Sequence, residues 1–283
     1  MTDSDAITPA SGAAMAVEAA MILSGLWLIW RFVVSKRGRD SRYLRLSEWR
    51  LPPIDFACFI ALAFVGAAAL SSAAGPLLRP LRLDGDSAMV AGGAVMHLGI
   101  LAGLASFFLF YGAKARRGGV ASGPYPVLAS GVITFLIALP VVFAASSVWE
   151  FVLQRMGLPD EKQDMVDILQ NSHSWLLKGS LVAVATILVP ITEEMIFRAG
   201  LFRYFRTRVP RWMTILLTSA LFGALHVSWS DNLSGLPSLA PLFALAVVFC
   251  LAYERTGRIG TTMVAHALFN LNTFVLVIAG IGS

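Results

Sequence analysis

Apolar residues run along this chain in long unbroken stretches separated by short polar connections, without the strict alternation that marks a half-buried strand. A helix needs about 20 such residues to cross a hydrocarbon core of about 30 Å. The pattern predicts eight crossings: Ala14 to Val34, Ile54 to Leu78, Ala88 to Gly112, Tyr125 to Trp149, Trp175 to about Phe205, Arg211 to Trp229, Leu236 to Tyr253 and Gly260 to Ile281. A transmembrane barrel would instead show alternating segments of about ten residues. The expected fold class is all-α, a polytopic membrane protein with about eight transmembrane helices.

Composition strengthens this reading: 57% of the 283 residues are hydrophobic and 14% are charged, against about 25% charged in a soluble domain. Asp3 and Asp5 precede the first apolar run where a cleavable signal would carry basic residues, so that run is expected to remain as a span. Cys58 and Cys250 both lie within apolar runs and read as small buried hydrophobes.

Charge adds an orientation. With eight spans drawn, seventeen of the 22 basic residues fall in the loops after spans 1, 3, 5 and 7, and Arg31, Lys36, Arg37, Arg39, Arg42, Arg45 and Arg50 crowd the first of these. Loops rich in Lys and Arg stay in the cytoplasm, so both termini are expected on the extracytoplasmic side, in a cell membrane. Asp160, Glu161, Asp164 and Asp167 fall in an outer loop. Topology accounts for the net charge of +5, leaving nucleic acid out as a partner and placing the basic first loop against anionic lipid headgroups.

Polar groups inside the spans divide the chain into residues 1–170, four helices with few of them, and residues 171–283, where carboxylates, histidines and an asparagine enter apolar surroundings. An ionisable group within a membrane is costly and calls for a partner or a function. Glu194 and Arg198 stand four apart and can pair on one helical face, whereas Glu193 points about 100° away. Glu193, desolvated, is the candidate general base. Matching its depth to that of His226, roughly 22 Å into a straight sixth helix, requires span 5 to continue to about Phe205. Pro190 is expected to kink or open that span.

His266 and Asn270 share one face of the last helix and can aim two donors at one point, as an oxyanion hole requires. His97, alone in span 3, reads as a packing hydrogen bonder, as do Thr261, Thr262, Asn272 and Thr273. Gly99 and Gly103 read as small-residue helix contacts. His226, His266 and Glu193 could alternatively converge as a zinc site with an open position for water; otherwise no cofactor is implied.

Glu193-Glu194-x-x-x-Arg198, Phe222-x-x-x-His226 and His266-x-x-x-Asn270, in this order on successive apolar helices, resemble the CPBP family, the CAAX prenyl protease and bacteriocin-processing membrane enzymes also called Abi. The resemblance covers roughly residues 175 to 275. It implies a glutamic-type intramembrane protease in which Glu193 and His226 activate a water and His266 with Asn270 stabilises the oxyanion. Glu194, Arg198 and Phe222 match the remaining motif positions, and the implied partner is a membrane-associated or lipidated protein or peptide. The chain has no His-Glu-x-x-His, and Gly85-Asp86-Ser87-Ala88 and Asp84-Gly85-Asp86 are not the motifs of serine or aspartyl intramembrane proteases. Two other roles compete: a non-enzymatic bacteriocin-immunity or scaffold protein, and a proton-coupled transporter using Glu193 and the histidines as a relay.

Overall fold

The computed structural model describes residues 9–40, 44–46, 49–116, 126–158, 169, 172–229, 233 and 235–280. Arg42, the acidic cluster Asp160, Glu161, Asp164 and Asp167, and Asp3 and Asp5 lie outside the described residues. Eight main helices follow one another: α1 Pro9–Ile29, extended by a π turn Trp30–Val34; α2 Pro53–Leu78; α3 Gly85–Arg116; α4 Val127–Met156; α5 Trp175–Phe205; α6 Arg211–Ala224; α7 Leu239–Thr256; and α8 Ile259–Ile278. Among the described residues there is no strand.

Local sequence sets the ends. Pro52 precedes α2, Pro126 precedes α4 and Pro210 precedes α6, where a residue without an N–H costs nothing because the first turn has no acceptor for it. Gly157 closes α4 and Gly257 closes α7, both at positive φ, the left-handed conformation that ends a helix most cheaply at glycine.

Among the described residues seven helices are long and apolar enough to cross a membrane, and large apolar side chains such as Leu109, Phe110 and Leu176 stay more than 80% exposed while Thr192, Ser219 and Glu194 are buried. Apolar outside and polar inside is the arrangement of a chain solvated by lipid. The protein is an integral membrane protein. The expected sixth span is shorter than the pattern suggested. α6 has 14 residues, or about 21 Å, and the chain leaves the helix at Leu225, where the Trp229 indole donates to the Ala224 carbonyl at 3.0 Å. His226 therefore sits in the turn beyond α6 rather than within a straight helix, still about 20 Å from Arg211 along the axis.

Close crossings knit the amino-terminal helices together. A Cβ on Gly103 would collide with the Leu62 carbonyl and one on Gly66 with that of Gly99, so α2 and α3 meet backbone to backbone. α4 belongs to the same core as the carboxyl-terminal helices. Ala138 and Val142 pack with Leu245, Phe249 and Ala265, and the Ser130 and Thr261 hydroxyls bond at 2.7 Å. At one end, Arg206 and Arg211 reach the two oxygens of the buried Glu254 at 2.5 and 2.8 Å, tying the α5–α6 connection to α7.

Candidate active site

α5 is irregular where its carboxylates lie. Two π segments, Val184–Leu188 and Met195–Phe202, flank the turns that hold Glu193 and Glu194. Such segments widen a helix and occur often at functional sites. The first has a local cause: in an i→i+5 register the donor for the Ala185 carbonyl would be the nitrogen of residue 190, which is proline and carries no hydrogen. That carbonyl is taken instead by the Asn270 Nδ2 of α8, which donates to it at 2.7 Å.

The two glutamates have different surroundings. Glu194 is fully buried, and its Oε1 lies 3.0 Å from Arg198 Nη1 and 3.1 Å from His266 Nδ1. Arg198, 1% exposed, is boxed by aromatic faces, with its guanidinium carbon 4.5 Å from the Phe222 centroid, 5.3 Å from Phe249 and 6.0 Å from Phe197. Ring quadrupoles and the carboxylate together replace the water such a cation has lost.

Glu193 faces the other way, into a partly open space, at 19% exposure. Its Oε1 is 3.8 Å from His226 Nε2 and its Oε2 is 3.9 Å from His266 Nε2. Oε2 is buried and has no hydrogen-bond partner within the protein. Both separations exceed a direct hydrogen bond and leave four polar atoms turned toward one another.

Backbone and carboxylate acceptors fix the state of both rings. His226 Nδ1 lies 2.7 Å from the Phe222 carbonyl, which can only accept, so Nδ1 carries a proton, and in the neutral ring Nε2 presents a lone pair toward Glu193. His266 Nδ1 likewise donates to Glu194 Oε1. Phe222 thus serves twice, its carbonyl orienting His226 and its ring covering Arg198.

The structure brings together Glu193, His226 and His266, and it places Glu194, Arg198 and Phe222 directly behind them. Asn270 departs from the spacing argument. Its amide was expected to aim with His266 at one point, but one of its two N–H groups is engaged by Ala185, because the π turn next to Pro190 leaves that carbonyl unsatisfied. His97 is the packing hydrogen bonder that the sequence suggests. Its Nδ1 meets the Thr192 hydroxyl at 2.7 Å, so α3 is pinned to the residue preceding Glu193. No spacing rule could pair residues 95 positions apart. Glu254 and Thr192, both buried, were also not singled out by the sequence.

The donor set of two imidazole nitrogens and one carboxylate has the chemistry of a zinc site, and Nδ1 protons held by outer acceptors are what metal-binding histidines use. Among the described residues, however, no three His, Cys, Asp or Glu side chains gather closely enough to hold an ion.

Comparison with known proteins bears on the same segment. Residues 175–272 match the family model described as Rce1-like, Type II CAAX prenyl endopeptidase. The chain is 28% identical over 143 residues to the "Putative membrane peptidase YdiL" of Bacillus subtilis (strain 168), covering 50% of this chain and 52% of that protein. It is 36% identical over 103 residues to the "UPF0177 protein YaiF" of Lactococcus lactis, covering 36% of this chain and 42% of that protein. It is 33% identical over 82 residues to an "Uncharacterized 24.3 kDa protein" of Escherichia coli, covering 28% and 36%. The chain spans about half, or less, of the length of these relatives. No solved structure matches it. The three ordered motifs and their convergence on α5, α6 and α8 fall within the same segment, residues 175–272, that matches the Rce1-like family model.

Proposed function

We propose that this protein is an intramembrane endopeptidase that hydrolyses a peptide bond of a membrane-associated or lipidated protein or peptide. The observation that carries the reading is the buried, unpartnered Glu193 Oε2, with two imidazole Nε2 atoms turned toward the same carboxylate at 3.8 and 3.9 Å. A water between these groups donates to Glu193 rather than to Glu194, whose Oε1 is committed to Arg198 and His266.

In this mechanism Glu193 takes a proton from that water while His226 Nε2 holds its second hydrogen. The water oxygen bonds the scissile carbonyl carbon, and the carbonyl oxygen becomes an oxyanion. His266, protonated at both nitrogens and supported from behind by Glu194, donates from Nε2 to that oxyanion. The Asn270 N–H that does not serve Ala185 is the second donor. Collapse of the intermediate breaks the C–N bond as the proton held by Glu193 passes to the leaving nitrogen.

The family match over residues 175–272 supports the reaction class. The charge pattern supports a cell-membrane location with both termini outside and the basic loops inside. The immunity, scaffold and transporter alternatives share the fold but give Glu193 no cleavage to perform. The test compares protein termini, by mass spectrometry, in membranes of cells carrying wild type or Glu193→Ala at equal abundance. New termini confined to wild type support the proposal and name the substrate; identical termini refute it for the proteins present.

A further inference from the structure

A cavity of about 440 Å³ opens between α1, α4 and α7, within the roughly 300–1,000 Å³ typical of small-molecule sites. It lies apart from the candidate active site, since none of its lining residues is Glu193, Glu194, Arg198, Phe222, His226, His266 or Asn270. α7 separates the two, turning Phe249 toward His266 and Val248 and Leu251 toward the cavity.

Its lining is divided by polarity. Along the helices the walls are apolar, including Leu28, Ile133, Ile137, Val141, Val248 and Leu251. At one end stand Arg31, Arg37, Arg45 and Arg255, and among the described residues no carboxylate lines the cavity. Glu254, the neighbour of Arg255 in sequence, is already held by Arg206 and Arg211. Arg255 and Arg31 both lie over the Phe32 ring, at 4.6 and 5.7 Å, and Arg255 donates to the Gly38 carbonyl. Two of the four guanidinium groups are thus fixed beside the opening, and Arg37 and Arg45 are exposed there. Four like charges around one opening repel each other unless an anion sits among them.

Position in the spans identifies the anion. The arginine end coincides with the carboxyl ends of α1 and α7 and the amino end of α4, so it lies at one face of the membrane. From Ser130 to Val141 the cavity follows α4 for about 16 Å, half of a hydrocarbon core of about 30 Å. That is the depth of one leaflet.

We infer that this cavity binds an anionic phospholipid, with the phosphate among Arg31, Arg37, Arg45 and Arg255 and an acyl chain between α1, α4 and α7. A soluble phosphate compound has no use for the apolar walls, and a neutral lipid has no use for the four arginines. The inference does not rest on the proposed protease activity.

The test uses the full chain purified in mild detergent, incubated with phosphatidylglycerol or phosphatidylcholine and read by native mass spectrometry. Wild type should retain phosphatidylglycerol about tenfold or more over phosphatidylcholine, as expected for arginines each favouring an anionic headgroup by a modest amount. Arg37→Gln with Arg45→Gln, both exposed and therefore safe for folding, should reduce the preference for phosphatidylglycerol over phosphatidylcholine by about tenfold or more. Ile137→Trp, checked for retained helix content, should exclude both lipids. Equal retention of the two lipids, undiminished retention in the double arginine variant, displacement by inorganic phosphate alone, or a co-purified lipidated peptide in place of phospholipid would overturn the inference.

Discussion

Two regions of this protein bring charge into apolar surroundings, and they handle it in opposite ways. Around α5, α6 and α8 opposite charges are brought together: Glu194 Oε1 lies about 3 Å from both Arg198 and His266, while Glu193 faces His226 and His266 at 3.8 and 3.9 Å with its Oε2 free of any hydrogen bond within the protein. At the cavity between α1, α4 and α7, four arginines line one opening with no acid among the described lining residues. The first region pairs its charges from within, and the space between Glu193 and the two histidines is a place for chemistry. The second is left positive, and its balance comes from outside the chain.

The contrast can be broken at either region. The largest expected effect is on cleavage: Glu193→Gln keeps the size of the side chain but removes its basicity, and should lower turnover by about 10²–10⁴-fold with unchanged abundance and thermal stability, read by terminal mass spectrometry and a melting curve. Its neighbour should behave differently. Glu194→Gln leaves Arg198 buried without a counter-charge and should cost about 3–5 kcal/mol of stability, measured by detergent-phase unfolding. Glu194→Gln combined with Arg198→Met should recover part of that loss, because no orphaned charge remains.

Smaller effects sharpen the picture of the scaffold. Asn270→Ala leaves the Ala185 carbonyl without a donor and should cost about 1–3 kcal/mol, visible as a lowered unfolding midpoint; a variant that loses cleavage at full stability would assign Asn270 to the oxyanion alone. Gly103→Val forces α2 and α3 apart at the Leu62 carbonyl and should cost about 1–3 kcal/mol by overpacking, with cleavage reduced only as far as folded protein is lost. The smallest expected effect is none: dialysis against a chelator should leave cleavage unchanged, and a loss restored by zinc would turn Glu193, His226 and His266 into ligands.

Much of this could be read from the chain. The apolar runs located all eight helices, and the four-residue step from Glu194 to Arg198 anticipated their contact, because both depend on short-range helical geometry. The sixth helix is shorter than the sequence pattern predicts, since Leu225, Val227 and Trp229 continue to supply apolar residues after the helix has ended and hydropathy cannot see a turn. Glu254 and its two arginines were invisible for another reason: their partners lie 43 and 48 residues apart, and no period connects them.

What the sequence by itself determined is the solvent and the local geometry: a lipid environment, helices of known approximate extent, and the separation of Glu193 from Glu194 onto different faces. Tertiary structure decided which groups those faces meet. It turned His226 and His266 toward Glu193 with their Nδ1 protons held from behind, diverted Asn270 to a carbonyl that Pro190 cannot serve, and gathered four arginines from three stretches of chain around one cavity. The physical reason is range: hydrophobicity and helical periodicity act within a few turns, whereas the pairing of buried polar groups is fixed only when separate helices pack and each must find, or be left without, a partner.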